Sequence, residues 1–349
     1  MSGCGLSGET ERKRTDGETG QEPLKVVATI FPYYDFARQI SGGHTELSMV
    51  VPAGMDSHSF EPTPADMRTI QSADVVICNG GAMEHWLSEV LEAVDTSHMT
   101  VITMMDYVDT LEEELVEGME DAGDGHDHEA EEGGESHDPE TEETGESHDP
   151  ETEAAHGAGD ADEDAHGVAA GGVEYDEHIW TSPVNAMGIV RVIRDTLIQA
   201  DPVHEADYRE NCGTYLKELE RLDEGFRQVS ENRKRSTILV ADKFPFLYLA
   251  KEYGFDYRAA FSGCSEDTEP SAKTIAYLID TARREQIPAV YYLELSSHRV
   301  AEIIGEETGA KPMLLHSCHN VTRAQFESGI TYAELMRQNV ENLKRGLDE

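Results

Sequence analysis

Short β-branched runs alternate with amphipathic stretches twice along this chain, and that alternation leaves few architectures open. In the first series LKVVATI (24–30), TELSMVVP (45–52), ADVVICNG (73–80) and MTVITMM (99–105) read as strands. Between them YYDFARQISGG, the segment opened by Thr63-Pro64, and MEHWLSEVLEAV read as helices, the second with an N-cap residue ahead of a proline at the first helical position. In the second series STILVAD, DYRAAF, AVYYLEL and KPMLLHS read as strands. FLYLAKEYG, SAKTIAYLIDTARREQ, VAEIIGEETG and YAELMRQNVENLKRGL read as the helices. Strand–helix alternation of this kind predicts an α/β protein of two lobes, each a mainly parallel sheet flanked by helices.

What lies between the two series is of another character. Residues 118–172 hold 20 acidic residues and no Lys or Arg, with GESHDPETE at 134 repeated at 145. Such a stretch cannot bury enough apolar surface to fold alone, so it is expected to be a disordered insert in the first lobe. Order resumes near Val173. Ser182-Pro183 opens a helix to about Ala200, and a longer one follows Asp201-Pro202 to roughly Arg233, with Leu216, Leu219, Leu222 and Phe226 on one stripe. The expected organisation is a polar tether over 1–23, a first lobe over 24–182, connecting helices over 183–235 and a second lobe over 236–349.

The chain has 349 residues and a formal net charge of -44, with 27 Lys plus Arg against 71 Asp plus Glu. That excess of acid argues against nucleic acid and anionic lipid headgroups as partners, because both are recognised by basic surface. No apolar run approaches the roughly 18 residues that a membrane span needs. Five cysteines, Cys4, Cys78, Cys212, Cys264 and Cys318, include no CxxC pair, so zinc-finger and thioredoxin chemistry have no support.

Histidine is where the chemistry gathers. His58 follows a strand and a glycine-containing loop, five residues before Thr63-Pro64, and His178 stands four residues before Ser182-Pro183. Both settings run polar turn, His, aromatic, then a hydroxyl residue and proline opening a helix. Loops at the carboxyl ends of parallel strands are where α/β folds hold ligands, and a neutral imidazole suits a borderline cation such as zinc. His316 and His319 follow the last strand in LLHSCHN; His316 is the preferred candidate, because the strand before it fixes it best. Six of the 15 histidines lie in the acidic insert, which points to weak capture of divalent metal there. A catalytic zinc would also need a general base. Glu61 and Glu177 stand near His58 and His178, but no HExxH or similar spacing occurs, so the chain is not expected to be an enzyme.

ATIFPYYDFARQI, GMDSHSFEPTPADM, NGGAMEHWL, the His-rich acidic insert, DEHIWTSP, LAKEYG and DTEPSAKTI occur in this order over residues 24–349. Their succession resembles the zinc-binding lipoproteins that serve bacterial metal ABC importers, in the group with an acidic His-rich loop. The resemblance implies two lobes joined by a rigid helix, a metal ion in the cleft between them, and a permease and ATPase complex as partner. It implies a monomer, placed outside the cytoplasm, with zinc as the ion and manganese as the alternative. It puts His58 and His178 on the family's two histidines of the first lobe. Lys243 stands where a third ligand belongs, so a histidine from LLHSCHN, His316 or His319, is expected to compensate, with Asp242 as a further candidate donor. MSGCG followed by polar sequence resembles what remains of a lipoprotein signal, with lipid on Cys4 as the membrane anchor. An extracytoplasmic setting would let Cys264 and Cys318, both in loops of the second lobe, form a disulfide. The runner-up function is an extracellular metal buffer or an adhesin-like lipoprotein.

Overall fold

The computed structural model describes residues 22–119, 174–265 and 269–348. Cys4, the expected tether as far as residue 21, and all of the expected insert beyond Met119 lie outside them. Strands β1 (Leu24–Ala28), β2 (Thr45–Met49), β3 (Val75–Cys78) and β4 (Thr100–Thr103) form one parallel sheet in the order β2-β1-β3-β4. Strands β5 (Thr237–Phe244), β6 (Asp256–Ser262), β7 (Ala289–Tyr292) and β8 (Lys311–Leu314) form a second, in the order β6-β5-β7-β8. The two orders are the same. Each sheet begins at an inner strand, adds its neighbour on one side and then crosses to the other, leaving a crevice beyond the strand carboxyl ends where the direction reverses.

The helices are α1 (Phe31–Ser41), α2 (Pro64–Gln71), α3 (His85–Ala93), α4 (Pro183–Ala200), α5 (Glu205–Asn232), α6 (Leu247–Tyr253), α7 (Ala272–Glu285), α8 (Arg299–Thr308), α9 (Arg323–Glu327) and α10 (Tyr332–Asp348). Their starts follow from local chemistry. Thr63 Oγ1 accepts from the Ala65 and Asp66 amides, while Asp66 Oδ2 accepts the Thr63 amide in return, a reciprocal cap for α2. Ser182 Oγ caps α4 ahead of Pro183, accepting from the Val184 and Asn185 amides. A single such cap contributes about 1 kcal/mol.

Helix α5 joins the lobes. Its 28 residues extend roughly 42 Å at 1.5 Å per residue. Tyr208, Cys212, Tyr215, Leu219, Leu222, Phe226 and Val229 recur every three or four residues and are all buried. Leu216, expected on that stripe, lies at its edge and is only partly buried. Helix α10 packs close by, a Cβ on Gly225 coming within 3.3 Å of Val340. One continuous core runs from Val26 and Val76 in the first sheet through α5 to Tyr291 in the second. Strand β5 alternates as a two-sided strand should. Ile238 and Val240 enter that core, whereas Leu239 and Ala241 enter a smaller one with Leu278 and Ile304 on the other face.

Strand β5 differs from its sequence expectation. STILVAD ends at Asp242, but the strand continues to Phe244 after an irregularity between Val240 and Lys243. The bulge is the reason: it breaks the period-2 pattern, so the last residues do not read as strand.

Candidate metal centre

The crevices of the two sheets face one another, and three histidines meet between them. His58, His178 and His319 place ring nitrogens within 4.8 Å of one another. Their ring centroids form a near-equilateral triangle: 5.8 Å from His58 to His178, 5.4 Å from His58 to His319 and 5.7 Å from His178 to His319.

Each arrives by a different route. His58 lies in the loop after β2, where its amide donates to Asp56 Oδ1 at 3.0 Å. His178 precedes the turn into α4; its carbonyl accepts from the Thr181 amide and hydroxyl. Its Nδ1 lies 3.2 Å from Asp176 Oδ1, which leaves Nε2 turned to the cluster. His319 follows β8 in the second lobe, and its Nε2 meets the Ser57 hydroxyl of the first. The lobes are pinned together beside the cluster. Asn320 Nδ2 donates to the carbonyls of Pro52 and Met55 at 2.8 and 2.7 Å, and Trp180 Nε1 donates to Ser317 O at 2.9 Å.

His316, preferred on sequence grounds, is not brought into the cluster. It is buried beneath the loop, its amide on Asn339 Oδ1 and its Nδ1 accepting the Cys318 amide. The physical reason is Cys318 between the two histidines, whose φ of 60° reverses the chain and sends the side chains apart. Burial pushes the His316 pKa down even with Glu294 beside it, so the ring is neutral, and its Nε2 has no partner among the described residues.

Burial and electrostatics set the three clustered rings apart. Burial, reinforced by the neighbouring imidazoles, holds His319 well below the ordinary range, and the same causes bring His58 down to about 4. Their lone pairs are therefore available at neutral pH. His178 moves the other way: burial disfavours its charge, but the Asp176 carboxylate outweighs that and raises its pKa.

Lys243, on the extended end of β5, lines the same cavity of about 270 Å³ as the three histidines. Its Nζ stands 4.0 Å from Asp56 Oδ2. Asp242 accepts the Lys243 amide and is pushed up by burial, and it is not a member of the three-residue cluster. Glu177, a candidate base by position, is used elsewhere: its carboxylate takes the amides of Ala82 and Met83 and clamps that loop. Glu61 is exposed. Cys264 and Cys318 are free thiols, so the disulfide expected between them is absent. Cys318 is instead packed inside against the His316 carbonyl. Asp176 is the residue that sequence reasoning passed over. Its signal was an acid two residues before a candidate histidine, a spacing that folds back on the following amide.

Two parallel-sheet lobes that close three imidazoles between their strand ends define a cleft-type binding protein with donors suited to a borderline divalent cation. Residues 26–346 match the family described as ZnuA, zinc-uptake complex component A periplasmic, and the chain belongs to that family. It is 30% identical over 325 residues to the zinc-binding protein AdcA of Streptococcus pyogenes serotype M3, which covers 93% of this chain and 56% of that protein. The chain thus spans little more than half the length of those relatives. It is 28% identical over 347 residues to the high-affinity zinc uptake system protein ZnuA of Bacillus subtilis, covering 99% of this chain and 93% of that one. The crystal structure of the Zn(II)-bound ZnuA-like domain of Streptococcus pneumoniae AdcA superimposes with a TM-score of 0.67 at 25% identity, covering 94% of this chain and all of that one.

Proposed function

We propose that this protein captures zinc outside the cytoplasm in the cleft between its lobes and hands it to an ABC-type membrane importer. His58, His178 and His319 are the ligands in this reading. The observation that carries it is the convergence of three imidazoles from both lobes, two of them held neutral. Three neutral nitrogen donors suit zinc and its tetrahedral preference, whereas manganese favours a set richer in carboxylates. In this reading the site serves binding, and Glu177, a candidate base by position, is committed to the backbone amides of Ala82 and Met83. Lipid on Cys4 would keep it at the membrane surface, the chain acts as a monomer, and the His-rich insert gathers metal weakly.

A competitive zinc and manganese titration of the chain lacking residues 118–172 tests this. One tight zinc site, indifferent to manganese, is expected. Loss of all tight binding with the insert would make the protein an extracellular metal buffer instead.

A further inference from the structure

The cavity holds more than a metal ion requires, and one of its walls carries a cation. Three imidazoles leave a tetrahedral zinc one donor short. Among the described residues no fourth His, Cys, Asp or Glu lies within reach of the cluster. Three of the four carboxylates that line the cavity already accept hydrogen bonds. Asp56 Oδ1 accepts the His58 amide, Asp242 accepts the Lys243 amide, and Glu294 accepts from the Ser317 amide and hydroxyl at 2.9 and 2.6 Å. Lys243 is different. It is 9% exposed, its Nζ makes no hydrogen bond to any described residue, and Asp56 at 4.0 Å is its sole ion-pair partner among them. It is also the one Lys or Arg among the residues lining this space of about 270 Å³.

A largely buried lysine whose ammonium has free donors, beside an ion of charge two held by neutral ligands, makes a doubly positive corner in a cavity that also carries the carboxylates of Asp56, Asp242, Glu269 and Glu294. Its complement is an anion that can bond to the metal and accept from the ammonium at once. We infer that Lys243 holds an exogenous anionic oxygen donor, which completes the coordination of the metal at His58, His178 and His319. The donor is the carboxylate of a small chelator or a solvent hydroxide. The room beyond the histidines favours the carboxylate, since a hydroxide would need little of it. This inference rests on the reading of the three histidines as ligands.

The test uses the full chain charged with less than one equivalent of cobalt(II), whose visible spectrum reports its donors. The His319→Ala variant identifies the cleft signal. Spectra and cobalt affinity are taken in a non-coordinating buffer and again with acetate or malonate added. In the parent chain, added carboxylate is expected to shift the spectrum saturably. In Lys243→Met that shift requires at least tenfold more carboxylate, and Lys243→Arg restores part of it. If carboxylate leaves the parent spectrum unchanged but Lys243→Met still weakens cobalt binding tenfold in the bare buffer, the donor is hydroxide and Lys243 keeps its role. Three results overturn the inference: Lys243→Met alters neither quantity, it tightens cobalt binding, or it removes a nitrogen from the metal's shell by X-ray absorption, which would make Lys243 itself a ligand. A chain whose tight signal survives His319→Ala overturns the three-histidine reading and this inference with it.

Discussion

Asp176 grips His178 at two points: its Oδ1 accepts the His178 amide at 2.8 Å and stands 3.2 Å from Nδ1 of the same residue. The carboxylate fixes both the ring's orientation and its tautomer and makes Nε2 a better donor. Asp176 is itself held, its amide on Leu111 O and its carbonyl accepting from the Tyr248 hydroxyl. Asp176→Asn keeps the volume and removes the charge. The expected result is a zinc affinity lowered about 10- to 100-fold, with the folded structure retained, measured by competition with a chromophoric chelator.

The same pair sets the pH dependence. His178 has a raised pKa, so it keeps to higher pH than an ordinary imidazole a proton that a metal must displace. His58, brought down to about 4, and His319, held well below its usual range, are already neutral there. Affinity should therefore fall as pH drops through the raised His178 pKa, with about one proton released per zinc below it, and fall more steeply below about pH 4. Calorimetry in buffers of different ionisation enthalpy reads the proton count. Release of none, or of three, would contradict this assignment.

Gly263 lies against the pair from the second lobe. A Cβ there would sit 3.1 Å from Asp176 Oδ2, 3.2 Å from His178 Nδ1 and 3.0 Å from the Phe244 carbonyl. These contacts are tighter than ordinary van der Waals distances, and the carbonyl has little freedom to move. Gly263→Ala is expected to displace the Asp176–His178 pair and weaken zinc binding about tenfold, which the same competition measures. Unchanged binding would show that the lobes open readily enough to absorb a methyl group.

Glu84 offers a stability test away from the histidines. Its Oε2 accepts the amides of Asn79 and Gly80 at 2.7 and 2.9 Å, and burial pushes its carboxyl up to about 7. A folded pKa above the unfolded one means the neutral form favours folding. That contribution is complete below the unfolded pKa near 4.5 and is lost as pH rises through about 7. Glu84→Gln should remove the dependence, so the variant gains on the parent by up to about 3 kcal/mol between pH 5 and 8. Urea midpoints across that range measure it.

The sequence announced the frame well and the fine aim of its side chains poorly. Thr63-Pro64 and Ser182-Pro183 gave the starts of α2 and α4 because capping is local chemistry, readable over four residues. The placement of His58 and His178 near a cleft followed from those starts. The choice between His316 and His319 did not, because it turns on one left-handed residue, Cys318, and cysteine gives no cue that it will adopt that conformation. The extension of β5 that carries Lys243 into the cleft was hidden by a bulge. The partnership of Asp176 with His178 depends on a short reversal of the backbone that alternation and periodicity do not report.

A chelator competition on the full chain, comparing His319→Ala with His316→Ala, tests the three-imidazole cleft most directly. His319→Ala should lose at least 100-fold in zinc affinity at the tight site, while His316→Ala, though less stable, should bind zinc within a few fold of the parent. Equal losses in both variants, or a loss confined to His316→Ala, would contradict a site built from His58, His178 and His319.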